Sequence, residues 1–282
     1  MEKFVKTCYH VHSKLLTMLK IVTAKSQGSV ENHLERAGWK PAWRVGEPTA
    51  KEPNGEALDD GIIAGKSAQI ARIRSAQIPW RVSVGAFDAG LVGTDCLLDH
   101  LYSNLEVHGG FAYGRGFNFT PAYLALFTKD QSELSSLKDF PPGTIVMTER
   151  PHLTQAFLEI NDCPAEIFWG GEDNEFDRFH RKQEDLGKMS IKLIDGGGAQ
   201  QLQDGELLAL VNETGRRGRN YGLREIAKIC DIETLLLVNS SSIKDPTKRE
   251  GLKQLIRDLD RVAISQESEG VVYPEGSLLR ER

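Results

Sequence analysis

The sequence has few cysteines, and none of them lies in a pattern that binds metal. Cys8, Cys96, Cys163 and Cys230 are far apart, and no two of them form a CxxC pair. Zinc sites and the disulfide frameworks of small secreted proteins place cysteines at short, repeated spacings. The sequence therefore predicts neither kind of site, and its cysteine usage fits a reducing compartment.

Long apolar runs are also missing. No stretch of the sequence approaches the ~20 apolar residues that a helix needs to cross a bilayer. The N-terminal stretch contains His10, His12 and Lys14, which interrupt the apolar core that a secretory signal peptide requires. We therefore expect a cytoplasmic protein that has no membrane partner.

Charge of one sign does not accumulate along the chain. The formal net charge is -5, and the basic residues form no long run. A general nucleic-acid binder needs many Lys and Arg side chains to neutralise phosphates, so we expect no nucleic-acid partner. The chain is 40% hydrophobic and 27% charged, as in ordinary globular proteins. Any phosphate that it binds must be held by a local site.

Apolar stretches typical of strands alternate with helical stretches along most of the chain. Such an alternation predicts α/β units with parallel sheets that are buried on both faces, and two lobes with a cleft between them. The predicted strands cover residues 19–23, 70–74, 86–93, 122–127, 144–147, 165–169, 191–194, 207–211 and 234–239. One predicted helix begins at residue 78, and the others cover 153–160, 223–230 and 248–259.

The segment from 170 to 190 is charged and has no clear period, apart from a helix predicted at about 176–186. We interpret this segment as a surface insertion. The predicted domain organisation is an N-terminal extension (1–18), a first lobe (19–108 plus 232–265), a second lobe (109–231) and a C-terminal tail (266–282).

The clearest functional signal is the segment Leu207–Leu223, which reads LLALVNETGRRGRNYGL. An apolar strand leads into a Thr/Gly/Arg turn, and we predict a helix after it. Free N–H groups at the start of a helix bind phosphate, and Arg216, Arg217 and Arg219 add positive charge. The Glu213 carboxylate could accept hydrogen bonds from two hydroxyls of a ribose. The pattern indicates a ribose-phosphate site, although an exposed basic turn before a helix would have the same composition.

This loop resembles the phosphoribosyl pyrophosphate loop of the ATP phosphoribosyltransferases, which begin histidine biosynthesis. The family's loop also follows an apolar strand and reads approximately Thr-Gly-x-Thr-Leu-Arg-x-Asn-Gly-Leu. The segment Thr214-Gly-Arg-Arg-Gly-Arg-Asn-Tyr-Gly-Leu223 has the same length. It matches at Thr214, Gly215, Arg219, Gly222 and Leu223.

Four more segments resemble the family in the same order, so that the resemblance runs from about Leu19 to Leu259. Arg72-Ile-Arg-Ser-Ala-Gln-Ile-Pro79 resembles Arg-x-x-Asp-Ile-Pro, and Val84–Leu98 resembles Gly-x-x-Asp-x-Gly-Ile-x-Gly-x-Asp-x-Leu. Thr148–Phe157 resembles Thr-x-Tyr-Pro-x-Leu-Thr-x-x-Phe, and Leu235–Ile243 resembles Leu-Ile-Val-Asn-x-x-Ser.

The resemblance implies both a fold and a reaction. The expected fold is α/β and two-lobed, like the type II periplasmic binding proteins, with a central cleft for the substrates. The expected reaction transfers phosphoribosyl from phosphoribosyl pyrophosphate to N1 of ATP and releases pyrophosphate, with Mg2+ as the cofactor. The expected protein partner is a second copy of the chain or a separate regulatory subunit. Only about twenty residues follow Leu259, so we expect the short form of the family, which carries the catalytic domain alone.

The matched segments give the candidate site residues. We expect Glu213 and Arg217 of the Thr/Gly/Arg turn to be the catalytic residues. In the first lobe, Lys25 follows the first strand, and Asp95 ends a Gly-rich motif where it could instead only cap the following helix. The expected substrate-binding residues are Thr214, Gly215, Arg216, Gly218, Arg219, Lys25, Arg74, Asp95 and Glu206.

Three positions in and before the loop depart from the family pattern. Leu210 stands where the family has an acidic residue, so Glu206 or Glu213 is expected to meet the ribose hydroxyls. Arg217 and Gly218 replace a threonine and a leucine. Two alternatives stay open: a related phosphoribosyltransferase of a specialised purine-nucleoside pathway, and a two-lobed ligand-binding protein without catalysis.

Overall fold

A computed structural model describes residues 19–24, 34, 36–39, 58–59, 62–63, 66–111, 122–170, 173–195, 197–212 and 216–267, with only the backbone described at 58–59, 62–63, 66–67, 109–111, 173–174, 216–217 and 262–267. The strands are β1 (Leu19–Ala24), β2 (Leu58–Asp59), β3 (Ile62–Ile63), β4 (Lys66–Ile73), β5 (Ala89–Gly93), β6 (Leu105–Phe111), β7 (Ala122–Lys129), β8 (Ile145–Thr148), β9 (Ala165–Phe168), β10 (Met189–Leu193), β11 (Leu207–Asn212), β12 (Leu223–Ile232) and β13 (Thr234–Asn239). The α-helices are α1 (Ile78–Ser83), α2 (Thr94–Leu98), α3 (Pro151–Ile160), α4 (Asp173–Asp185), α5 (Gly198–Gln201), α6 (Arg216–Asn220), α7 (Ser240–Lys244) and α8 (Pro246–Glu267). Short 3-10 helices cover Ser75–Gln77 and Leu137–Asp139.

The described residues form two compact units, each built around one sheet. Unit 2 consists of residues 98–101 and 120–232, and unit 1 consists of the remaining described residues. Within the part of the chain that the structure describes, no helix is long and apolar enough to span a membrane. Both units mix strands and helices, which confirms the predicted α/β class.

The sheet of unit 1 has the order β2-β4-β1-β5-β13-β6, and β3 pairs with β4. β1 is parallel to β4 and β5, whereas β13 is antiparallel to β5 and β6, and β2 is antiparallel to β4. The sheet is therefore mixed, and the prediction of a purely parallel sheet was wrong. The alternation of strands and helices predicts only pairs of parallel strands that a helix connects. It does not predict that β13, which is distant in the sequence, pairs with β5 and β6 in antiparallel fashion.

Apolar side chains cover both faces of the unit 1 sheet, as predicted. Successive positions of β1 enter two different clusters of buried side chains. On one face, α8 packs its leucines against the strands, and the indole nitrogen of Trp39 donates to the Asp258 carboxylate at 3.0 Å. On the other face lie Ile78 and Val82 of α1. The helix predicted at 248–259 lies within α8, and its residues Leu252, Leu255 and Leu259 are buried.

Asp88 joins three segments of unit 1. Its side chain is only 3% exposed. One carboxylate oxygen accepts from the backbone N–H of Lys20 at 2.8 Å, and the other accepts from the Ser242 hydroxyl at 2.6 Å and from Lys248 Nζ at 2.8 Å. The carboxylate therefore links β1, α7 and α8 at the start of β5.

Gly90 in β5 gives a stability prediction. A methyl group added there would lie 2.6 Å from Ile78 Cγ2 and 2.9 Å from Val22 Cγ1. Both side chains are β-branched and fully buried, so they have little room to move. We expect Gly90→Ala to lower the free energy of unfolding by about 2 kcal/mol, measured by urea denaturation. Gly218→Ala is the control, since its methyl group would make only ordinary contacts, and an equal loss in both variants would contradict the prediction.

The sheet of unit 2 has the order β12-β7-β11-β8-β10-β9. β11, β8, β10 and β9 are mutually parallel, and β7 is antiparallel to β11 and β12. The carboxyl ends of the four parallel strands therefore lie at one edge of the sheet. Ligands of open α/β sheets usually bind at such an edge.

Residues 223–230 form a strand, so the helix predicted there was wrong. β12 pairs with β7 and contains two β-bulges, between Glu225 and Ala227 and between Lys228 and Cys230. Each bulge adds one residue, so that Ile226, Ile229 and Ile232, spaced three apart, all pack on the same cluster. This spacing imitates that of an amphipathic helix. The segment Thr214–Leu223, which we call the basic loop, therefore leads into a strand, and the helix described within it is the five-residue α6.

The segment 170–190 is part of the fold, which corrects its interpretation as a surface insertion. α4 is the connection between the parallel neighbours β9 and β10. Its Phe176 is buried, with its ring centre 5.3 Å from that of Phe168, and Gln183 is buried as well. A connection between parallel strands must cross the sheet, and a helix usually makes that crossing. The high charge of α4 belongs to its solvent-facing side.

Candidate active site

Three chain segments meet at the carboxyl edge of the unit 2 sheet. β8 ends at Thr148 and leads into α3, β10 ends at Leu193 and leads into a glycine turn, and β11 ends at Asn212 directly before the basic loop. Thr148 is in register with Leu193 and with Ala209. β11 therefore extends three residues beyond β8 and carries the start of the loop past its neighbours.

The turn from β8 to α3 is fixed by two buried threonines. The Thr148 and Thr154 hydroxyl oxygens are 3.0 Å apart, and Thr148 Oγ1 accepts from the backbone N–H of Arg150 at 2.9 Å. The N–H of Thr154 in turn donates to the Arg150 carbonyl at 3.0 Å. These contacts give a physical reason for the two threonines of the segment Thr148–Phe157, because they set the path of the backbone at Arg150.

Arg150 places a positive charge at this edge while being only 5% exposed. Its Nη1 donates to the Glu149 carbonyl at 2.8 Å and lies 3.8 Å from the Glu149 carboxylate, which is half-exposed. A buried guanidinium has five N–H donors, and its burial is costly unless they are used. Arg150 therefore brings a buried positive charge to this edge of the sheet.

Arg150 lines a cavity of about 310 Å3 that is open at this edge. It is lined by apolar side chains of β7 and β11, which we call its apolar floor, and by polar side chains that include Arg150 and Tyr221. The lining residues are Leu124, Glu149, Arg150, Ile194, Gly197, Gly198, Ala199, Gln200, Leu208, Ala209, Leu210, Val211 and Tyr221. An apolar pocket with a few convergent polar groups is typical of small-molecule sites.

Two glycines form one wall of the cavity. Gly197 has φ 69°, a left-handed conformation that favours glycine. At Gly198 a methyl group would lie 2.4 Å from Ile194 Cδ1 and 2.7 Å from Leu208 Cδ1, so only glycine fits without repacking. The Gln200 amide then donates to the Tyr221 hydroxyl at 3.0 Å and connects α5 to the end of the basic loop.

A hydrogen-bond network supports the end of β11. The Asn212 amide donates to the Tyr123 hydroxyl at 2.8 Å, and that hydroxyl donates to the Glu225 carboxylate at 2.8 Å. Burial and the neighbouring Glu225 carboxylate raise the pKa of Tyr123 above its ordinary value of 10.0, so that its proton is retained at neutral pH. Asn212, the last residue before the loop, is thereby tied to β7 and β12.

The basic loop itself is only partly described. Glu213, Thr214 and Gly215 lie outside the described residues, and of Arg216 and Arg217 only the helical backbone of α6 is described. Of the two remaining candidates in the loop, Gly218 is buried against Phe127, and Arg219 is exposed. Because α6 has five residues, its dipole is weak, and a phosphate here would depend on the arginines and the loop N–H groups instead.

Glu206 is not brought to this edge. It precedes β11, roughly 20 Å from Asn212 along the strand, and its carboxylate accepts from the backbone N–H of Gln203 at 2.7 Å. We therefore leave Glu206 out of the proposed site. Leu210, which replaces an acidic residue of the family pattern, does line the cavity.

The candidates in unit 1 follow its parallel strands in the sequence. Ala24 of β1 is in register with Ile73 of β4, so Lys25 and Arg74 are the next residues of two neighbouring strands. Lys25 itself lies outside the described residues, and Arg74 is exposed. Asp95 is the second residue of α2, just after β5, and is buried, with the Cys96 thiol donating to it at 3.6 Å. An acidic residue in the first turn also stabilises a helix, so Asp95 fits both interpretations.

Sequence reasoning missed Arg150, Gln200 and Tyr221. A signal for Arg150 was available, because an arginine directly after an apolar strand stands where the family segment has a tyrosine. Gln200 follows a glycine triplet, and Tyr221 stands inside the loop. Only the sheet order, which brings β10 and β11 to either side of β8, shows that these residues share one cavity.

The two sheets and the cavity define a two-unit α/β protein with a ligand pocket at the carboxyl ends of parallel strands. Solved proteins share this fold. The ATP phosphoribosyl transferase (HisG:HisZ) complex from Thermotoga maritima matches 88% of this chain and 100% of its own, with TM-score 0.56 and 19% identity. The alkanesulfonate-binding protein SsuA from Xanthomonas axonopodis pv. citri, bound to MOPS, matches 90% of this chain and 76% of its own, with TM-score 0.51 and 12% identity. The predicted fold class, like that of type II periplasmic binding proteins, is confirmed.

Sequence comparison gives the family. Residues 74–261 match the HisG family, ATP phosphoribosyltransferase. The ATP phosphoribosyltransferase of Methanocaldococcus jannaschii is 26% identical over 213 residues, 74% of this chain, and that of Pelotomaculum thermopropionicum is 28% identical over 187 residues, 66% of this chain. The chain belongs to the ATP phosphoribosyltransferase family. It spans 61% and 56% of the length of these two relatives.

Proposed function

We propose that the protein transfers phosphoribosyl from phosphoribosyl pyrophosphate to N1 of ATP. One observation carries the proposal: the strand that leads into the Thr214–Leu223 loop ends beside a cavity with a buried arginine and a two-glycine wall. The family's phosphoribosyl pyrophosphate loop thus has a pocket next to it that suits an anionic sugar. Family membership supports the same reaction.

The described residues suggest how the donor would be held. The sugar would lie over the apolar floor, where Leu210 stands, and Arg150 would contact a phosphate oxygen. Glu213 remains the candidate for the ribose hydroxyls, because Glu206 lies at the other end of β11. Arg217 remains the second proposed catalytic residue. The proposed substrate-binding residues are Thr214, Gly215, Arg216, Gly218 and Arg219 of the loop and Lys25, Arg74 and Asp95 of unit 1.

In the proposed reaction, adenine N1 forms a bond to ribose C1 as the bond from C1 to the pyrophosphate oxygen breaks, and pyrophosphate leaves with that electron pair. The chain's contribution is to position the two reactants and to balance the charge of the leaving group. Among the described residues, no group of three or more His, Cys, Asp or Glu side chains could hold a metal ion. We therefore propose that Mg2+ enters as part of the pyrophosphate substrate.

Assembly belongs to the proposal as well. The Thermotoga maritima structure is a complex of HisG with HisZ. This supports an association of the present chain with a regulatory subunit, and a homo-oligomer is the alternative that size measurements would distinguish. The cytoplasmic location stays a prediction.

The test is pyrophosphate release by the purified protein with ATP, phosphoribosyl pyrophosphate and Mg2+. We expect release that requires ATP and is lost in a Glu213→Ala/Thr214→Ala variant. Release only with another purine acceptor would replace the proposal with the specialised-pathway alternative. No release with any acceptor, from protein that binds phosphoribosyl pyrophosphate, would favour a binding protein without catalysis.

Tyr123 offers a finer test of the donor site. Tyr123→Phe removes the nearer acceptor of the Asn212 amide, leaves the Glu225 carboxylate at 3.5 Å, and keeps the β7–β11 pairing. Because one hydrogen bond contributes about 1 kcal/mol, we expect the KM for phosphoribosyl pyrophosphate to rise about 5-fold. The KM for ATP in the same variant is the internal control. Equal changes in both constants would mean that the network has a general structural role.

A further inference from the structure

Unit 2 carries an exposed group of aromatic rings, His100, His152 and Trp169, which we call the aromatic shelf. The ring centres of His100 and His152 are 5.0 Å apart at an interplanar angle of 81°, and those of His152 and Trp169 are 4.9 Å apart at 45°. Trp169 is 59% exposed although it is the largest apolar ring that a protein contains. The shelf therefore presents a wide aromatic surface to solvent.

The shelf lies at the same edge of the sheet as the cavity. His152 is the second residue of α3, two residues after the cavity-lining Arg150. Trp169 directly follows β9, whose parallel neighbour β10 leads into the glycine wall of the cavity. Carboxyl ends of parallel neighbours point the same way, so a ligand bound in the cavity could extend toward the shelf.

A buried carboxylate holds the shelf in place. Asp99 is only 3% exposed, and its Oδ1 accepts from the backbone N–H of Leu153 at 3.0 Å. Its Oδ2 lies 3.4 Å from His100 Nε2. These contacts fix residues 98–101 against the start of α3, and they place His100 beside His152. The shelf is thus built from three separate segments of unit 2.

The chemistry of the shelf favours a flat aromatic ligand. In the described ranges, no group of three or more His, Cys, Asp or Glu side chains could hold a metal ion. Asp99, His100 and His152 are included in that statement. A phosphate would need positive charge, which at this edge is supplied by Arg150. A nucleobase, by contrast, stacks on Trp and His rings, and the imidazole edges can hydrogen-bond to its ring nitrogens.

We propose that the aromatic shelf binds the adenine base of the purine-nucleotide acceptor. This inference rests on the proposed transferase function, and it identifies where the acceptor base is recognised. The donor then occupies the cavity, and the acceptor base lies on the shelf beside it.

The test uses Trp169→Leu, which keeps an apolar side chain but removes the ring. Stacking on one aromatic ring is worth enough to expect a rise of about 10-fold in the Kd for ATP, measured by calorimetry without turnover. The Kd for phosphoribosyl pyrophosphate should not change. Trp169→Phe should restore most of the ATP affinity, because it restores a ring. Trp80→Leu in unit 1, where Trp80 is 50% exposed, is the matched control and should leave both constants unchanged.

The outcomes separate this inference from the proposed function. An unchanged Kd for ATP in folded Trp169→Leu, or wild-type protein that does not bind ATP, would overturn the shelf as the base site. Turnover by the wild type, together with an unchanged Kd for ATP in Trp169→Leu, would support the transferase and reject the shelf as the base site. ATP binding that depends on Trp169 in a protein that releases no pyrophosphate would support the shelf and reject the transferase.

Discussion

Replacing Arg150 with methionine is expected to lower kcat/KM for phosphoribosyl pyrophosphate about 100-fold, because hydrogen bonds to a charged group are worth about 1.5–3 kcal/mol each. Methionine has a similar length and no charge, and Arg150 lines the cavity while being almost fully buried. The loss should appear as a weaker Kd for phosphoribosyl pyrophosphate in calorimetry as well as in steady-state rates.

Two further variants separate the charge from its geometry. Arg150→Lys keeps the positive charge but not the planar fork of N–H donors, so we expect an intermediate loss. Glu149→Gln removes the half-exposed carboxylate near Arg150 and should change kcat/KM only slightly. If Arg150→Met remains folded and binds phosphoribosyl pyrophosphate as tightly as the wild type, Arg150 has no role in donor binding.

The largest expected effect on stability is at Asp88. Asp88→Asn removes the charge that faces Lys248 Nζ and turns an N–H donor toward groups that are themselves donors. Breaking a buried ion pair in this way leaves an uncompensated charge, so we expect a loss of about 3 kcal/mol in the free energy of unfolding. The measurement is urea denaturation followed by tryptophan fluorescence, to which the buried Trp39 of unit 1 contributes.

Glu250→Gln is the matched control for Asp88. Glu250 forms an ion pair with Lys253 at 3.0 Å on the same helix that carries Lys248, but this pair is exposed to solvent. Exposed pairs are weakened by water and salt, so the urea midpoint should not move measurably. Equal shifts in Asp88→Asn and Glu250→Gln would show that the Asp88 contacts do not hold unit 1 together.

The sequence predicted the elements of this fold better than their connections. Apolar runs located the buried strands, since burial on both faces gives continuous stretches such as Leu207–Val211. The period of apolar residues failed in β12, where two bulges produce a helix-like spacing of three. The helix at α4 was predicted, but its charged outer side concealed the buried Phe176 and led to the interpretation of the segment as a surface insertion. Both errors arise because sequence periodicity reports the side chains and not the partner strand.

The site was predicted in part for a similar reason. Local motifs located the loop after β11, because its residues are neighbours in the sequence. Arg150, the Gly197–Gly198 wall and Tyr221 belong to the same cavity but come from three distant segments. Their proximity depends on the order in which the strands pair, and no local pattern encodes that order. Glu206 illustrates the converse, because it is close to the loop in sequence and at the opposite end of the strand in space.

The position of β13 determines when unit 1 can fold during synthesis. β13 lies between β5 and β6, yet residues 234–239 emerge from the ribosome only after all of unit 2. β5 and β6 must therefore wait, with unpaired edges, for more than a hundred residues of translation, whereas every strand described in unit 2 has emerged before β13 does. Unit 2 is free to fold on the nascent chain, and unit 1 can complete its sheet only near the end of synthesis. A ribosome that stops before residue 234 would release a chain with one finished unit and one open sheet, which is a substrate for chaperones or proteases.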